Sequence, residues 1–128
     1  MEKKVISTAA VIGMIAIILG AFGAHALKKV LGAEQLATFE TGVRYQMYHA
    51  LFLLFVGNSQ RVSEKMKRSI LYLVVCGVLL FSGSIYLLAT DSLIAFDVRY
   101  MGIATPIGGL LLIIAWFCLF IDFNSKKT

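Results

Sequence analysis

The chain has 128 residues, of which 59% are hydrophobic and 15% are charged, with a formal net charge of +5 and a mean hydropathy of +0.86. These values exclude a soluble globular domain and are typical of a protein with several membrane spans. Apolar segments can be placed at residues 5–27 and at about 36–57, 69–89 and 100–121. They predict a single all-α domain over residues 1–128, a bundle of four transmembrane helices.

The first segment imitates a secretory signal, because Lys3 and Lys4 precede an apolar run and Ala24-His25-Ala26 fits a small-residue cleavage pattern. The apolar run is longer than the roughly 7–15 residues of a signal core. We therefore expect an uncleaved first helix.

The basic residues predict the orientation. With four spans, one side of the membrane would hold the eight residues Lys3, Lys4, Arg61, Lys65, Lys67, Arg68, Lys126 and Lys127, and the other Lys28, Lys29, Arg44 and Arg99. The positive-inside rule then predicts that both termini are cytoplasmic. An inner or cytoplasmic membrane is expected, because proteins that span the outer membrane are mostly barrels. The positive charge indicates contact with membrane lipids, and no nucleic-acid partner is expected.

The second segment contains a polar string, Glu40 to His49. A spanning helix needs about 20 residues, and the apolar run 50–56 is too short, so the helix must reach back to about Leu36. An Arg at the centre of such a helix costs about 2.5–3.5 kcal/mol on insertion scales. Ionisable residues at this depth usually face a bundle interior or a wet cavity, and a functional site is the default hypothesis.

The predicted depths bring polar residues from all four segments into the extracytoplasmic half. Because Arg binds carboxylate or phosphate through two bonds, Arg44 is the expected anchor of an anionic head group. The ligand-binding hypothesis names Arg44, Glu40, Tyr48, His49, His25, Tyr45, Ser82 and Thr105.

Structural alternatives apply to the same residues. Glu40 and Arg44 are spaced for a favourable helical ion pair, which would fix helix packing and neutralise its own charge. His49 is more often a satisfied interior histidine than a ligand. Ser82 and Ser84 point to different faces, so at most one is expected to face the cluster. The spacing of the two histidines and Glu40 does not demand a metal, and no cofactor and no catalytic residue is predicted.

Three further features bear on packing. Small residues recur along the first helix at Ala9, Gly13, Ala16, Gly20 and Ala24, a stripe that lets helices approach closely or forms an oligomer interface. Pro106 predicts a kink or a late start of the fourth helix. Trp116 is predicted to belong to an aromatic belt at the inner membrane boundary.

Four motifs carry a family resemblance: Gly20-Ala21-Phe22-Gly23-Ala24-His25, the segment from Glu40 to His49, Phe81-Ser82-Gly83-Ser84-Ile85-Tyr86, and Thr105-Pro106-Ile107-Gly108-Gly109. In order and over essentially the whole chain, they resemble the YgdD/YwdK family of small four-helix bacterial inner-membrane proteins. The resemblance implies the membrane class and the fold. It supplies no reaction, because the family carries an unknown-function label.

Three functions follow as hypotheses. The leading one is a non-enzymatic membrane protein whose polar site, in the extracytoplasmic half, binds a lipid head group or another small amphiphile. The second is a structural or accessory subunit whose polar cluster holds the bundle together. The third is a small transporter, which four helices would support as a homo-oligomer.

Overall fold

The structure is a computed structural model that describes residues 1–125, so Lys126 and Lys127, two of the basic residues counted above, lie outside the described residues. Within residues 1–125 the chain is helical and contains no strand. The long helices are α1 (Glu2–His25), α2 (Ala33–Asn58), α3 (Glu64–Ala89) and α4 (Ala104–Asn124). Short 3-10 helices lie at Leu27–Lys29, Asp91–Leu93 and Arg99–Ile103. Each predicted segment overlaps one long helix, and the all-α prediction is confirmed.

Three stretches of the described chain are long and apolar enough to cross a membrane: Glu2–Lys29, Glu64–Ala89 and Arg99–Asn124. The most apolar 18 residues of the first stretch have a mean hydropathy of 2.5, and those of the last stretch 2.3. In each of these two segments only 17% of the residues are buried. A helix that is apolar all round and exposed on most of its surface is suited to lipid contact. The helix outside this set is α2, which carries the polar string.

Direct packing follows chain order, with α1 against α2, α2 against α3 and α3 against α4. The small-residue stripe of α1 lies on the α2 side. A Cβ built at Gly13 would be 3.5 Å from Ala50 Cβ, and one built at Gly20 would be 3.4 Å from Val43 Cγ1. At Gly13 and Gly20 the stripe therefore packs against α2, whereas Ala24 at its end is exposed.

The backbones of α3 and α4 approach each other closely at Gly108. A Cβ built at Gly108 would lie 2.8 Å from the carbonyl oxygen of Gly77 and equally close to the Leu80 carbonyl carbon. Only glycine permits this distance between the two backbones. Pro106 is the third residue of α4, where its missing N–H has no helical partner to lose. The expected late helix start is confirmed, since a 3-10 helix precedes α4.

Two apolar clusters fill the interior at different depths. The larger contains buried side chains from all four helices, among them Val5, Leu53, Val74 and Ala115. The smaller lies at the other end of the bundle and contains Leu27, Leu31, Phe39 and Ala89. Between them lie the buried polar residues Gln46, His49, Ser82 and Ser84. We call these four residues the polar layer.

Candidate functional site

The predicted site residues lie in several different environments, and the first is the outer surface of α2. Glu40, Arg44 and Tyr48 follow one another at intervals of four residues, and all three side chains are exposed. Residues at this spacing lie on one face of a helix. The carboxylate and the guanidinium thus face outward and lie outside the core of the bundle.

Arg44 is held by a hydroxyl group and not by the neighbouring acid. Its Nη2 donates a hydrogen bond of 2.9 Å to Thr41 Oγ1. The ion pairs found within residues 1–125 do not join Arg44 to Glu40. The predicted internal pair is therefore absent here, because the Arg44 side chain reaches Thr41 one turn earlier in the helix.

Both charged residues line a small pocket between α1 and α2. Its volume is about 240 Å³, and its walls are Gly20, Ala24, Phe39, Glu40, Val43 and Arg44. The α1 wall consists of small residues, which leaves room beside the two charges. This pocket, hereafter the α1–α2 pocket, brings together the two principal residues of the ligand-binding hypothesis.

Tyr45, which packs against Tyr48, lines a second recess. Their ring centroids are 5.5 Å apart, and the Tyr45 ring also packs against Phe81 at 5.1 Å. Tyr45 and His49, together with Trp116 and other residues of α3 and α4, line a pocket of about 360 Å³. Tyr48 is half exposed and lines neither this pocket nor the α1–α2 pocket.

His49 belongs to the polar layer and has two partners. Its Nδ1 lies 2.7 Å from the carbonyl oxygen of Tyr45, and the indole N–H of Trp116 donates to its Nε2 at 3.0 Å. Since an indole N–H can only donate, Nε2 accepts, and the proton of the neutral ring is on Nδ1. His49 is a satisfied interior histidine in this structure. Trp116, which the sequence predicts to belong to an aromatic belt, is half exposed, and its N–H is directed to His49.

The hydroxyl groups of α3 join it to both neighbouring helices. Ser82 donates to the carbonyl oxygen of Gly42 on α2 at 2.8 Å. Ser84 shares a hydrogen bond with Thr105 on α4 at 2.5 Å. The two serines point to different faces, as expected, but both are buried and bonded to another helix. Ser82 and Thr105 are thus in contact with the bundle and not with the α1–α2 pocket.

Gln46 completes the polar layer, although it was not among the predicted site residues. Its Nε2 donates to the carbonyl oxygen of Ile12 at 3.0 Å, and its Oε1 accepts from the Tyr86 hydroxyl at 2.6 Å. One amide thereby joins α1, α2 and α3. The signal was present in the sequence, because Gly42, Gln46 and His49 continue the buried row that begins at Phe39 and reaches Leu53.

His25 lies apart from these residues. It is the last residue of α1 and is exposed. In the part of the chain that the structure describes, no three His, Cys, Asp or Glu side chains are grouped so that they could hold a metal ion.

Comparison with known proteins gives a family. The family model described as "Protein of unknown function (DUF423)" matches residues 19–109. A UPF0382 membrane protein of Haemophilus influenzae is 38% identical over 128 residues, which covers 99% of this chain and 99% of the relative. A UPF0382 membrane protein of Staphylococcus saprophyticus is 39% identical over 119 residues, which covers 93% and 95%.

The UPF0382 inner membrane protein YgdD of Escherichia coli K12 is 39% identical over 110 residues, which covers 84% of this chain and 79% of the relative. No solved structure matches this chain at a significant level. The matches to the family model and to these relatives confirm the resemblance noted in the sequence. The chain belongs to the DUF423 family of UPF0382 membrane proteins.

Proposed function

We propose that this protein is a non-enzymatic binding protein of the inner, or cytoplasmic, membrane and that its α1–α2 pocket holds the phosphate-bearing head group of a lipid. One observation carries the proposal: Arg44 and Glu40 line an outward-facing pocket without neutralising each other. An exposed guanidinium keeps several N–H donors available and suits the bidentate binding of phosphate.

The proposal includes four membrane spans with both termini in the cytoplasm. α2 is long enough, because 26 residues at 1.5 Å each give about 39 Å, against a hydrocarbon core of about 30 Å. The name of the E. coli relative supports the inner membrane. The basic residues Lys3, Lys4, Lys65 and Arg68 support the cytoplasmic placement of the N-terminus and of the beginning of α3.

The depth of Arg44 is compatible with a lipid phosphate. In this orientation α2 begins at the extracytoplasmic side, and helical side chains lean toward the N-terminus of their helix. The bond from Arg44 to Thr41 follows that direction. The guanidinium is therefore displaced toward the head-group region, as long basic side chains in membranes commonly are.

Native mass spectrometry of gently extracted protein tests the proposal. Wild-type protein should retain a phospholipid adduct, and Arg44→Gln should lose it while remaining folded. Arg68→Gln is the matched control, because Arg68 is an exposed arginine at the opposite end of the bundle. A wild-type protein without adduct, or an adduct that persists in Arg44→Gln, would contradict the proposal.

A second function is favoured by the polar layer. Gln46, His49, Ser82 and Ser84 are all bonded to other helices, which suits a structural or accessory subunit that needs a rigid bundle. This alternative predicts that the protein co-purifies with a partner membrane protein in stoichiometric amount after crosslinking in cells. It also predicts that Arg44→Gln leaves that complex unchanged. A protein recovered without any partner would count against it.

A further inference from the structure

The α1–α2 pocket holds one positive and one negative side chain, a combination that a simple anion site would avoid. Glu40 and Arg44 are one turn apart on the same face of α2, and both are exposed. Within residues 1–125, the Glu40 carboxylate has no hydrogen bond and no ion pair, and Arg44 forms its one bond with Thr41. Each charge is left with its binding capacity largely unused.

A bare phosphate or an anionic head group would satisfy Arg44 and be repelled by Glu40, because like charges at this spacing are unfavourable. A ligand that carries a phosphate and an ammonium group a few bonds apart would satisfy both. On the basis of the function proposed above, we propose that the pocket selects a phosphoethanolamine head group, with its phosphate on Arg44 and its primary ammonium on Glu40.

The size of the pocket fits a head group. Its volume of about 240 Å³ is below the roughly 300–1,000 Å³ of sites for drug-sized ligands. Gly20 and Ala24 form a wall without long side chains, so a compact group can reach both charges. The acyl chains would remain in the bilayer, outside the pocket.

The lining also favours a primary over a quaternary ammonium. A primary ammonium offers three N–H donors to a carboxylate, whereas a trimethylammonium offers none. Quaternary ammonium groups are usually bound by aromatic cages. Phe39 is the one aromatic residue among the six that line this pocket. Glu40 rather than an aromatic face therefore determines the preference.

Competitive lipid binding tests this inference. Purified wild-type protein is equilibrated with equimolar phosphatidylethanolamine, phosphatidylglycerol and phosphatidylcholine of identical acyl chains, and the retained lipid is identified by native mass spectrometry. We expect phosphatidylethanolamine to exceed each of the others by about tenfold, the factor that one charge-assisted hydrogen bond supplies.

Three variants separate this inference from the proposed function. In Glu40→Gln the ratio of retained phosphatidylethanolamine to each of the other two lipids should fall close to one, while phospholipid is still retained. Arg44→Gln should lose all three lipids. Glu34→Gln is the control, because Glu34 is an exposed acid in the first turn of the same helix and outside the pocket, and it should behave as wild type. The melting temperature of each variant verifies that it is folded.

The outcomes differ for the two proposals. Equal retention of the three lipids by wild type, with loss in Arg44→Gln, would overturn the phosphoethanolamine preference and leave the lipid-phosphate site standing. Retention of no lipid by wild type would overturn both. Free phosphoethanolamine serves as an additional probe. An adduct of its mass would show that the pocket binds the head group as a soluble ligand. A lipid adduct without a phosphoethanolamine adduct would show that the pocket binds the head group only as part of a lipid.

Discussion

The indole N–H of Trp116 donates to Nε2 of His49 at 3.0 Å, and the two rings meet edge to face with centroids 6.0 Å apart. This contact joins α2 to α4 in the middle of the bundle. It also fixes the imidazole tautomer, because Nδ1 is directed to the Tyr45 carbonyl oxygen. A proton on Nε2 would remove the acceptor that Trp116 uses, so His49 is poorly placed to carry protons.

Trp116→Phe should lower the free energy of unfolding by about 1 kcal/mol, since interhelical hydrogen bonds in membranes are worth about that or less. His49→Phe should cost a similar amount, and the double variant less than the sum of the two. Thermal unfolding in detergent measures the coupling. Additive losses would mean that the bond does not contribute to stability.

Gly108→Ala should be strongly destabilising, because the added Cβ would be driven into the backbone of α3, 2.8 Å from the Gly77 carbonyl oxygen. Overpacking of this kind costs about 1–3 kcal/mol. The neighbouring residue provides the control: a Cβ at Gly109 would lie 3.5 Å from Phe81 Cδ1, an ordinary contact. Equal melting temperatures for Gly108→Ala and Gly109→Ala would contradict the close approach of α3 and α4.

Gln46→Leu should lower the free energy of unfolding, because it removes the donor to the Ile12 carbonyl oxygen and the acceptor of the Tyr86 hydroxyl. We expect a loss of about 1–3 kcal/mol, the range for a buried polar group deprived of its partner. In the background of Tyr86→Phe, the same change should cost measurably less. Chemical unfolding of the two single variants and the double variant measures this difference. An unchanged cost in the Tyr86→Phe background would show that the two side chains act independently.

Thiol labelling tests the proposed orientation. After replacement of Cys76 and Cys118, a cysteine introduced at the exposed Lys65 should react with an impermeant reagent only when the cytoplasmic face is accessible. A cysteine at the exposed Asp91 should react from outside in intact cells. Labelling of both positions from the same side would contradict the passage of α3 across the membrane.

The sequence was sufficient for the helices, because hydropathy depends on local composition. It predicted one cluster of polar groups, whereas Glu40 and Arg44 face outward and Ser82 is bonded to another helix. It did not determine which of those groups turn inward. Glu40 and His49 lie on the same helix, yet one is exposed and the other is bonded to α4, a difference set by the rotation of α2 about its axis. That rotation depends on the packing of Gly42 and Gln46 against α1 and α3.

Trp116 shows a second limit. Its position near the end of an apolar run is typical of an interfacial residue, and nothing local distinguishes that role from an interior bond. The acceptor of its N–H is His49, which is 67 positions away in the sequence. Such pairings arise from the relative depth of two helices, which composition alone does not give.

The polar layer has a consequence for assembly. Its interhelical bonds lie between two apolar clusters, and one helix cannot slide past another by a turn without breaking them. Such a slide would separate the Ser82 hydroxyl, the Gln46 amide and the His49 ring from their partners, each at a cost of about 1 kcal/mol. The bonds Ser82–Gly42, Tyr86–Gln46 and Trp116–His49 therefore hold α2 in one register against α3 and α4. The layer thereby fixes the relative height of the helices, and with it the position of the α1–α2 pocket along the bundle.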